Sequence, residues 1–269
     1  MLSGVGDAAV LAELGIRTVA HRPAVGMSLQ DHVNVRTSYR CALPITLNDR
    51  LGTAWGRAMA GLEYLALGRG PLTVAAGTGG AFFRSDGASG RPDVQAFLLV
   101  FRTDRMGTRL SPDSGFMMSA YQLRPHSRGS IRLASPDPRA PPLIDPAYLA
   151  SDFDRAVTLA GLRRLQAIAS ARPLADLIAG PSEPPLDADD STLTAHIRAS
   201  ASPGHHFCGS CRMGPDPDSV VDPRLRVRGT SGLRVADASI MPAVVSGNTL
   251  APVVAIAEKA ADMILADAR

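Results

Sequence analysis

The clearest hydrophobic pattern lies near the C-terminus, where apolar residues recur with a helical period between residues 250 and 265. The apolar positions of this stripe are Val253, Ile256, Ala257, Ala260, Ile264 and Leu265. Asn248 and Thr249 come just before it and are residue types that cap helices, and Pro252 is tolerated in a first turn. The pattern predicts a helix with Asn248 at its N-terminus, where N–H groups and a partial positive charge favour an anion.

A second pattern, of alternating polar and apolar residues, precedes this helix. Residues 224–228 and 233–235 alternate in this way, with a Gly-Thr-Ser-Gly sequence between them. The alternation predicts a β-hairpin with a glycine-rich turn. A polar elbow, Asp237-Ala238-Ser239, follows the hairpin.

The rest of the chain mixes helical and extended patterns. Helices are predicted at residues 8–14, 53–67, 151–169 and 191–200, and strands at residues 94–101 and 116–123. Ser151 and Asp154 are interpreted as a capping box, and residues 124–133 as a hairpin around Ser127-Arg128-Gly129. A sheet with flanking helices indicates an α+β domain at residues 39–201.

The composition excludes several classes of function. The 269 residues are 45% apolar, which is enough for a large core, and the net charge of +3 comes without a basic run that would indicate nucleic-acid binding. No stretch of eighteen uncharged apolar residues predicts a membrane span. Three cysteines without a disulfide framework, and no signal-peptide pattern, predict a cytoplasmic protein.

Residues 202–252 carry a series of motifs in a fixed order. The positions are His206, Cys211, Met213, Gly214, the VVD at 220–222, the LRV at 233–235, Asp237, Ser239, Asn248 and Thr249. This series resembles the C-terminal signature of the glucose–methanol–choline (GMC) flavin oxidoreductases. Near the N-terminus, the SGVG at 3–6 and the GMSLQDH at 26–32 resemble the middle of such a protein, with Ser28 in place of the usual Asn.

The resemblance implies an α/β (α+β) fold class: the C-terminal part of a FAD/NAD(P)-binding-like GMC fold, with the N-terminal Rossmann half missing. Residues 1–38 are then the end of the FAD-binding N-terminal portion. Residues 39–201 are the substrate-binding α+β domain, in which the C-terminal region of the family begins near residue 120. Residues 202–269 return to the FAD domain.

The N-terminal glycines also match another motif. Gly4, Gly6 and Ala9 have the spacing of a dinucleotide-binding turn, but no buried strand precedes them, so we interpret the match as coincidental. We therefore expect the flavin site of this chain to be incomplete. We also expect the hairpin at residues 225–235 to lack a covering sheet and to expose an apolar side through which the chain associates.

The resemblance implies FAD-dependent oxidation of a primary or other small alcohol to the carbonyl. It makes His206, five residues before Cys211, the catalytic base, since a neutral imidazole suits proton abstraction. His205 lies one residue before the position that the resemblance implies for the base. Asn248 is implied as a donor to the substrate oxygen, and Asp31 and His32 are expected to fix a loop near the cofactor. The residues implied to contact FAD are Asp237, Ala238, Ser239, Gly247, Asn248, Thr249 and Leu250.

Other interpretations of the sequence remain open. One is a non-enzymatic fragment with an incomplete flavin site. Another is a small metal-binding module built on Cys208 and Cys211, but zinc would need two further ligands and the sequence offers no second pair, so no metal is predicted. The sequence leaves the electron acceptor open between oxygen and a quinone-like carrier. Aromatic residues make up only 4% of the chain, which favours an uncharged alcohol over choline.

Overall fold

The computed structural model describes residues 1–75, 77–88, 90–104 and 107–268. Its α-helices, α1 to α7 in chain order, are Ala8–Glu13, Leu47–Leu51, Ala54–Leu67, Asp152–Ala169, Leu174–Leu177, Asp190–Ser200 and Leu250–Asp267. Its strands, β1 to β9, are Val5–Gly6, Ala20–His21, Val33–Arg40, Gly79–Phe83, Val94–Leu99, Gly115–Gln122, Ser130–Arg132, Leu143–Asp145 and Ser202–Pro203. Short 3-10 turns cover Pro71–Thr73 and Ala238–Ile240.

The chain divides into two compact units. The first contains Met1–Val33, Leu123–Arg155 and Pro203–Arg269, and the second contains Asn34–Gln122 and Ala156–Ser202. The segment Leu123–Arg155 therefore packs with the first unit, although it lies inside the predicted domain at 39–201.

Backbone hydrogen bonds within the first unit explain where this segment lies. Leu29 and Gly129 exchange two of them, at 3.0 and 2.8 Å, and the N–H of Ile131 donates to the carbonyl of Gly26 at 2.6 Å. These bonds join residues about a hundred positions apart, so no local pattern could have shown them.

The second unit is built on a five-stranded sheet with the order β4-β5-β6-β3-β9. Strand β6 is buried along its whole length, and it pairs antiparallel with β5 and with β3. Helix α4 approaches this sheet at Gly161, where an added Cβ would lie 3.4 Å from a methyl group of Val94. The strands predicted at 94–101 and 116–123 are confirmed as β5 and β6.

Helix α3 shows why the predicted helix at 53–67 forms. The Thr53 hydroxyl accepts a hydrogen bond from the N–H of Gly56, and Gly68 ends the helix in the left-handed conformation with φ of 61°. Much of its apolar surface is exposed, since Trp55 is 75% and Leu65 82% exposed. The predicted helix is confirmed, and its apolar side chains contribute little to the core.

The first unit holds two small sheets, β1 with β2 in parallel and β7 with β8 antiparallel. Helix α1 lies between β1 and β2 in the chain, and the carboxylate of Asp7 accepts a hydrogen bond from the N–H of Ala9 at its N-terminus. A negative charge therefore sits where a dinucleotide-binding turn would receive a phosphate.

The predicted hairpin at 224–235 forms only in part. Single bridges join Val221 to Val227 and Arg226 to Arg234. Its apolar side is not exposed as expected, because Leu225 and Val227 are each 4% exposed and belong to the core of the first unit. The expectation that this hairpin exposes its apolar side is therefore wrong for Leu225 and Val227.

The predicted C-terminal helix is confirmed as α7, but only part of its predicted apolar stripe is buried. The side chains that pack into the first unit are Val253, Ile256, Ala260 and Met263. Those that are about half exposed or more are Leu250, Val254, Ile264 and Leu265. Helix α7 is thus apolar on two sides, and the predicted stripe combined residues from both. No helix among the described residues is both long enough and apolar enough to cross a membrane.

Two further predictions in this unit are wrong. Residues 124–133 form no local hairpin, because β7 pairs with β8 instead. The carboxylate of Asp154 does not complete a capping box with Ser151. It accepts hydrogen bonds from the N–H groups of His126 and Ser127, at 2.8 and 2.7 Å.

Candidate active site

The site is built on a fully buried segment of the first unit, residues 29–32, of which each residue is at most 3% exposed. This segment pairs with the one that carries His206. Gln30 and Cys208 exchange backbone hydrogen bonds at 3.0 and 2.9 Å, and the N–H of Gly204 donates to the carbonyl of His32 at 2.7 Å. An added Cβ on Gly204 would lie only 2.6 Å from that carbonyl oxygen, so the close pairing requires glycine here.

The carboxylate of Asp31 holds the loop that presents His206. One oxygen accepts the backbone N–H of His206 at 2.6 Å and that of His32 at 2.8 Å. The other accepts the hydroxyl of Tyr148 at 2.6 Å and the N–H of Gly204 at 3.1 Å. Burial, together with the hydrogen bond to Asp31, raises the pKa of Tyr148, so its hydroxyl stays a donor. The backbone position of His206 therefore depends on one buried carboxylate.

We expect Asp31→Asn to lower the free energy of unfolding by about 2 kcal/mol. An amide keeps one acceptor oxygen and turns an N–H₂ group toward donors, so buried N–H or O–H groups lose their partner. Urea unfolding measures the effect. Asp152→Asn is the matched control, because the Asp152 side chain is 96% exposed and its pair with Arg155 is worth little. Equal losses in both variants would show that the four contacts of Asp31 do not stabilise the fold.

The structure brings His206, Asn248 and His32 together. The side-chain amide nitrogen of Asn248 lies 3.2 Å from Nε2 of His206, and Nδ1 of His206 lies 2.9 Å from Nδ1 of His32. The two rings meet edge to face, with centroids 5.1 Å apart and an interplanar angle of 81°. The two residues implied as catalytic, His206 and Asn248, therefore lie within hydrogen-bond distance of each other.

Burial lowers the pKa of His206 below its ordinary value of 6.5, against the opposing charge of Asp31. The imidazole is therefore neutral at pH 7, as a general base must be. The adjacent His205 is exposed and has a φ of 60°, and its ring turns toward Phe207, with centroids 6.3 Å apart. Two consecutive histidines thus occupy different environments.

The residues implied to contact FAD lie in two places. Asp237 caps the 3-10 turn Ala238–Ile240, and its carboxylate accepts the N–H of Ser239 at 2.8 Å. Residues 247–250 lead into helix α7, whose N-cap Thr249 makes no side-chain capping hydrogen bond. Thr249 therefore occupies the N-cap position, as its residue type predicts, but its side chain makes no capping bond. Ala238 packs against an apolar cluster formed by Cys208, Met241 and Val244, and so do Val245 and Val253, which flank residues 247–250 in the chain.

The two cysteines of the C-x-x-C motif pack into apolar clusters. Cys208 is 1% exposed, and burial raises the pKa of its thiol to about 11. Burial also raises the pKa of the Cys211 thiol, which packs against the cluster around Val220 and Val221. Metal ligation needs thiolates, which these surroundings disfavour. Among the described residues, no group of three or more His, Cys, Asp or Glu could hold a metal ion.

Comparison with known proteins gives the family. A family model described as GMC oxidoreductase matches residues 125–257. An alcohol dehydrogenase [acceptor] from Pseudomonas putida is 40% identical over 276 residues, covering 98% of this chain and 48% of the relative. An oxygen-dependent choline dehydrogenase from Brucella ovis is 37% identical over 274 residues, covering 98% and 49%.

The chain belongs to the GMC oxidoreductase family. It spans about half the length of the curated relatives it matches. A solved formate oxidase from Aspergillus oryzae, studied for the modification of its FAD, has a TM-score of 0.90 and 25% identity, covering 99% of this chain and 51% of that one. The mixed helix and sheet fold predicted from the GMC resemblance is confirmed.

Sequence reasoning did not find every residue around His206 in this GMC chain. Asp31 and His32 were expected only to fix a loop, yet the His32 ring contacts the His206 ring directly. Tyr148 was not singled out, and it lies 117 positions from Asp31. The LQDH motif at 29–32 was the available signal for the first two, and no local signal marks Tyr148.

Proposed function

We propose that this chain supplies the base and the flavin-ring contacts of a GMC oxidoreductase that oxidises a primary or other small alcohol to the carbonyl. The observation that carries the proposal is the pair formed by Nε2 of His206 and the amide of Asn248, 3.2 Å apart. A base and a donor at this separation can address the same hydroxyl oxygen.

The residues of the first unit fit the ring end of FAD. Thr249 leaves the N-terminus of the 18-residue helix α7 without a side-chain cap, and an uncapped helix N-terminus favours an anionic group such as a reduced flavin ring. Gly247, which is half-buried, has a φ of 152°, a conformation that favours glycine. The residues that would hold FAD are Asp237, Ala238, Ser239, Gly247, Asn248, Thr249 and Leu250. When bound, FAD supplies the hydride acceptor.

His206 takes the hydroxyl proton in this proposal. Its ring is neutral because burial lowers its pKa, and its backbone N–H is held by Asp31. The O–H bond of the alcohol breaks as an N–H bond forms at Nε2 of His206. The imidazolium that results is close to the carboxylate of Asp31, which stabilises a positive charge.

Asn248 donates a hydrogen bond to the same oxygen as it loses its proton. A donor fixed before the reaction stabilises a developing alkoxide without reorganising. The side chain is exposed in the structure and is therefore accessible to a substrate.

The substrate is an uncharged small alcohol, because the chain has few aromatic residues with which to enclose an ammonium group. The electron acceptor is oxygen or a quinone-like carrier. The exposed apolar side of α7, with Val254 and Leu265, supports association through an apolar face. The cytoplasmic location stays a prediction.

The decisive experiment uses the complete gene product that contains this chain. We expect purified protein to carry flavin absorbance, and anaerobic addition of a primary alcohol to bleach it. Choline is the comparison substrate, and the corresponding alkane is the control that lacks the hydroxyl. Flavin that stays oxidised with every alcohol tested, or colourless protein that takes up no FAD, would contradict the proposal and favour a non-enzymatic fragment.

A further inference from the structure

The ring of His32 is the most buried titratable group beside the proposed base. It is 0% exposed, and each of its nitrogens faces a polar atom. Nε2 lies 3.2 Å from the carbonyl oxygen of Leu123, and Nδ1 lies 2.9 Å from Nδ1 of His206. The ring therefore connects a backbone carbonyl on one side to the proposed base on the other.

The chemistry of these atoms determines where the protons are. A carbonyl oxygen only accepts hydrogen bonds, so Nε2 of His32 must carry the proton that it donates to Leu123. A neutral His32 then has a lone pair at Nδ1, where it accepts. The 2.9 Å contact requires a donor on the other side, so Nδ1 of His206 must carry a proton.

The tautomer of His206 follows from this chain of hydrogen bonds. With the proton of the neutral ring at Nδ1, its Nε2 has the lone pair. The neighbour of Nε2 agrees, because the amide nitrogen of Asn248 is a donor and lies 3.2 Å away. The contacts at the two nitrogens of His206 thus favour the same tautomer.

We propose that His32 is a positioning residue that fixes the tautomer of His206, so that the lone pair lies at Nε2 beside Asn248. The role of His206 as the base rests on the proposed function, whereas its tautomer does not. When an alcohol is oxidised, its O–H bond breaks and the proton binds Nε2 of His206, while bound FAD would supply the acceptor for the C–H hydride. His206 then carries both protons and still donates from Nδ1 to His32.

The surroundings of His32 keep it an acceptor throughout. Burial lowers the pKa of His32 to about 4, with a further contribution from His206, while the carbonyls of Leu123 and Val245 and the charge of Asp31 act in the opposite direction. His32 is therefore neutral at pH 7, and the proton gained by His206 does not pass on to it. Fixing the tautomer of a catalytic imidazole is also the role of the carboxylate in serine-protease triads.

Nitrogen-15 NMR of the 269-residue chain tests the tautomer directly, without flavin or activity. The chain has six histidines, so the imidazole signals of a histidine-labelled sample are few, and His206→Gln assigns one set. We expect neutral His206 to show a protonated Nδ1 and an unprotonated Nε2. A protonated Nε2 in the unsubstituted protein overturns the inference, whatever His206 does in catalysis.

Two substitutions separate positioning from packing. His32→Leu fills the space but removes the acceptor, and we expect His206 to lose its single tautomer. His32→Gln keeps an acceptor oxygen for His206 and an N–H₂ donor for Leu123, and we expect the tautomer to be restored. The same tautomer in the leucine variant as in the unsubstituted chain would show that His32 does not determine it.

Kinetics of the flavin-loaded gene product complete the test. We expect His32→Leu to slow flavin reduction at least about 10-fold with little change in KM, and His32→Gln to recover most of the loss. Equal losses in both variants would indicate a packing role and overturn the inference. If the tautomer is as expected but His206→Ala reduces flavin normally, the proposed function fails and the assignment of His32 stands.

Discussion

Replacing His206 by alanine is expected to lower the kcat of the flavin-loaded gene product by at least ~10²-fold, the lower end of the contribution of a general base. Alanine removes the ring that contacts both Asn248 and His32. The backbone N–H of residue 206 remains available to Asp31, so the loop keeps its anchor. Flavin content should therefore be retained while proton abstraction is lost.

His205→Ala is the matched control for this prediction. Its ring is adjacent in sequence, but it is exposed and turns toward Phe207. Stopped-flow measurement of anaerobic flavin reduction separates the two residues. A larger loss in His205→Ala, with flavin still bound, would place the base one residue earlier.

The pH dependence of reduction follows from the direction of the pKa shift. A base must be unprotonated, and burial lowers the pKa of His206 below 6.5. The rate is therefore expected to hold its plateau from alkaline pH down through 6.5, and to fall only as pH drops through the lowered pKa. His206→Ala should lose this dependence together with most of the rate.

The parts of the fold that could be predicted are those whose signals are close in sequence. Thr53 and Gly68 bracket α3 with a cap at each end, and the apolar residues between 250 and 265 recur with the helical period of α7. In both helices, however, apolar periodicity overstated burial. Periodicity identifies which side chains share a face of a helix but not what covers that face.

The site could be predicted only as far as its family motifs extend. His206 and Asn248 were implied by the resemblance, and the structure places them in contact. The pairing of His32 with His206 joins residues 174 positions apart, and Asp154 bonds to residues 126 and 127 rather than to its own helix. A carboxylate can satisfy either a local or a distant donor, and only the folded chain decides which.

Asn248→Ala is expected to slow flavin reduction about 10²–10³-fold, as removal of one fixed donor does at other developing oxyanions. Flavin should stay bound, because the other residues that would hold it are unchanged. Stability should change by no more than about 0.5 kcal/mol, since the side chain is exposed and Thr249, not Asn248, is the N-cap of α7.

Asn248→Asp distinguishes the donor from a helix-capping role. Aspartate has nearly the same shape and caps helices as well as asparagine does, but it has no amide to donate. Its charge should also raise the pKa of His206, moving the fall in rate to higher pH. We therefore expect slow reduction in both variants at pH 7, and a shifted pH profile only in the aspartate variant. Full activity of Asn248→Asp would show that the amide donor is not needed, because the two side chains share their shape and an acceptor oxygen but not the N–H₂ group.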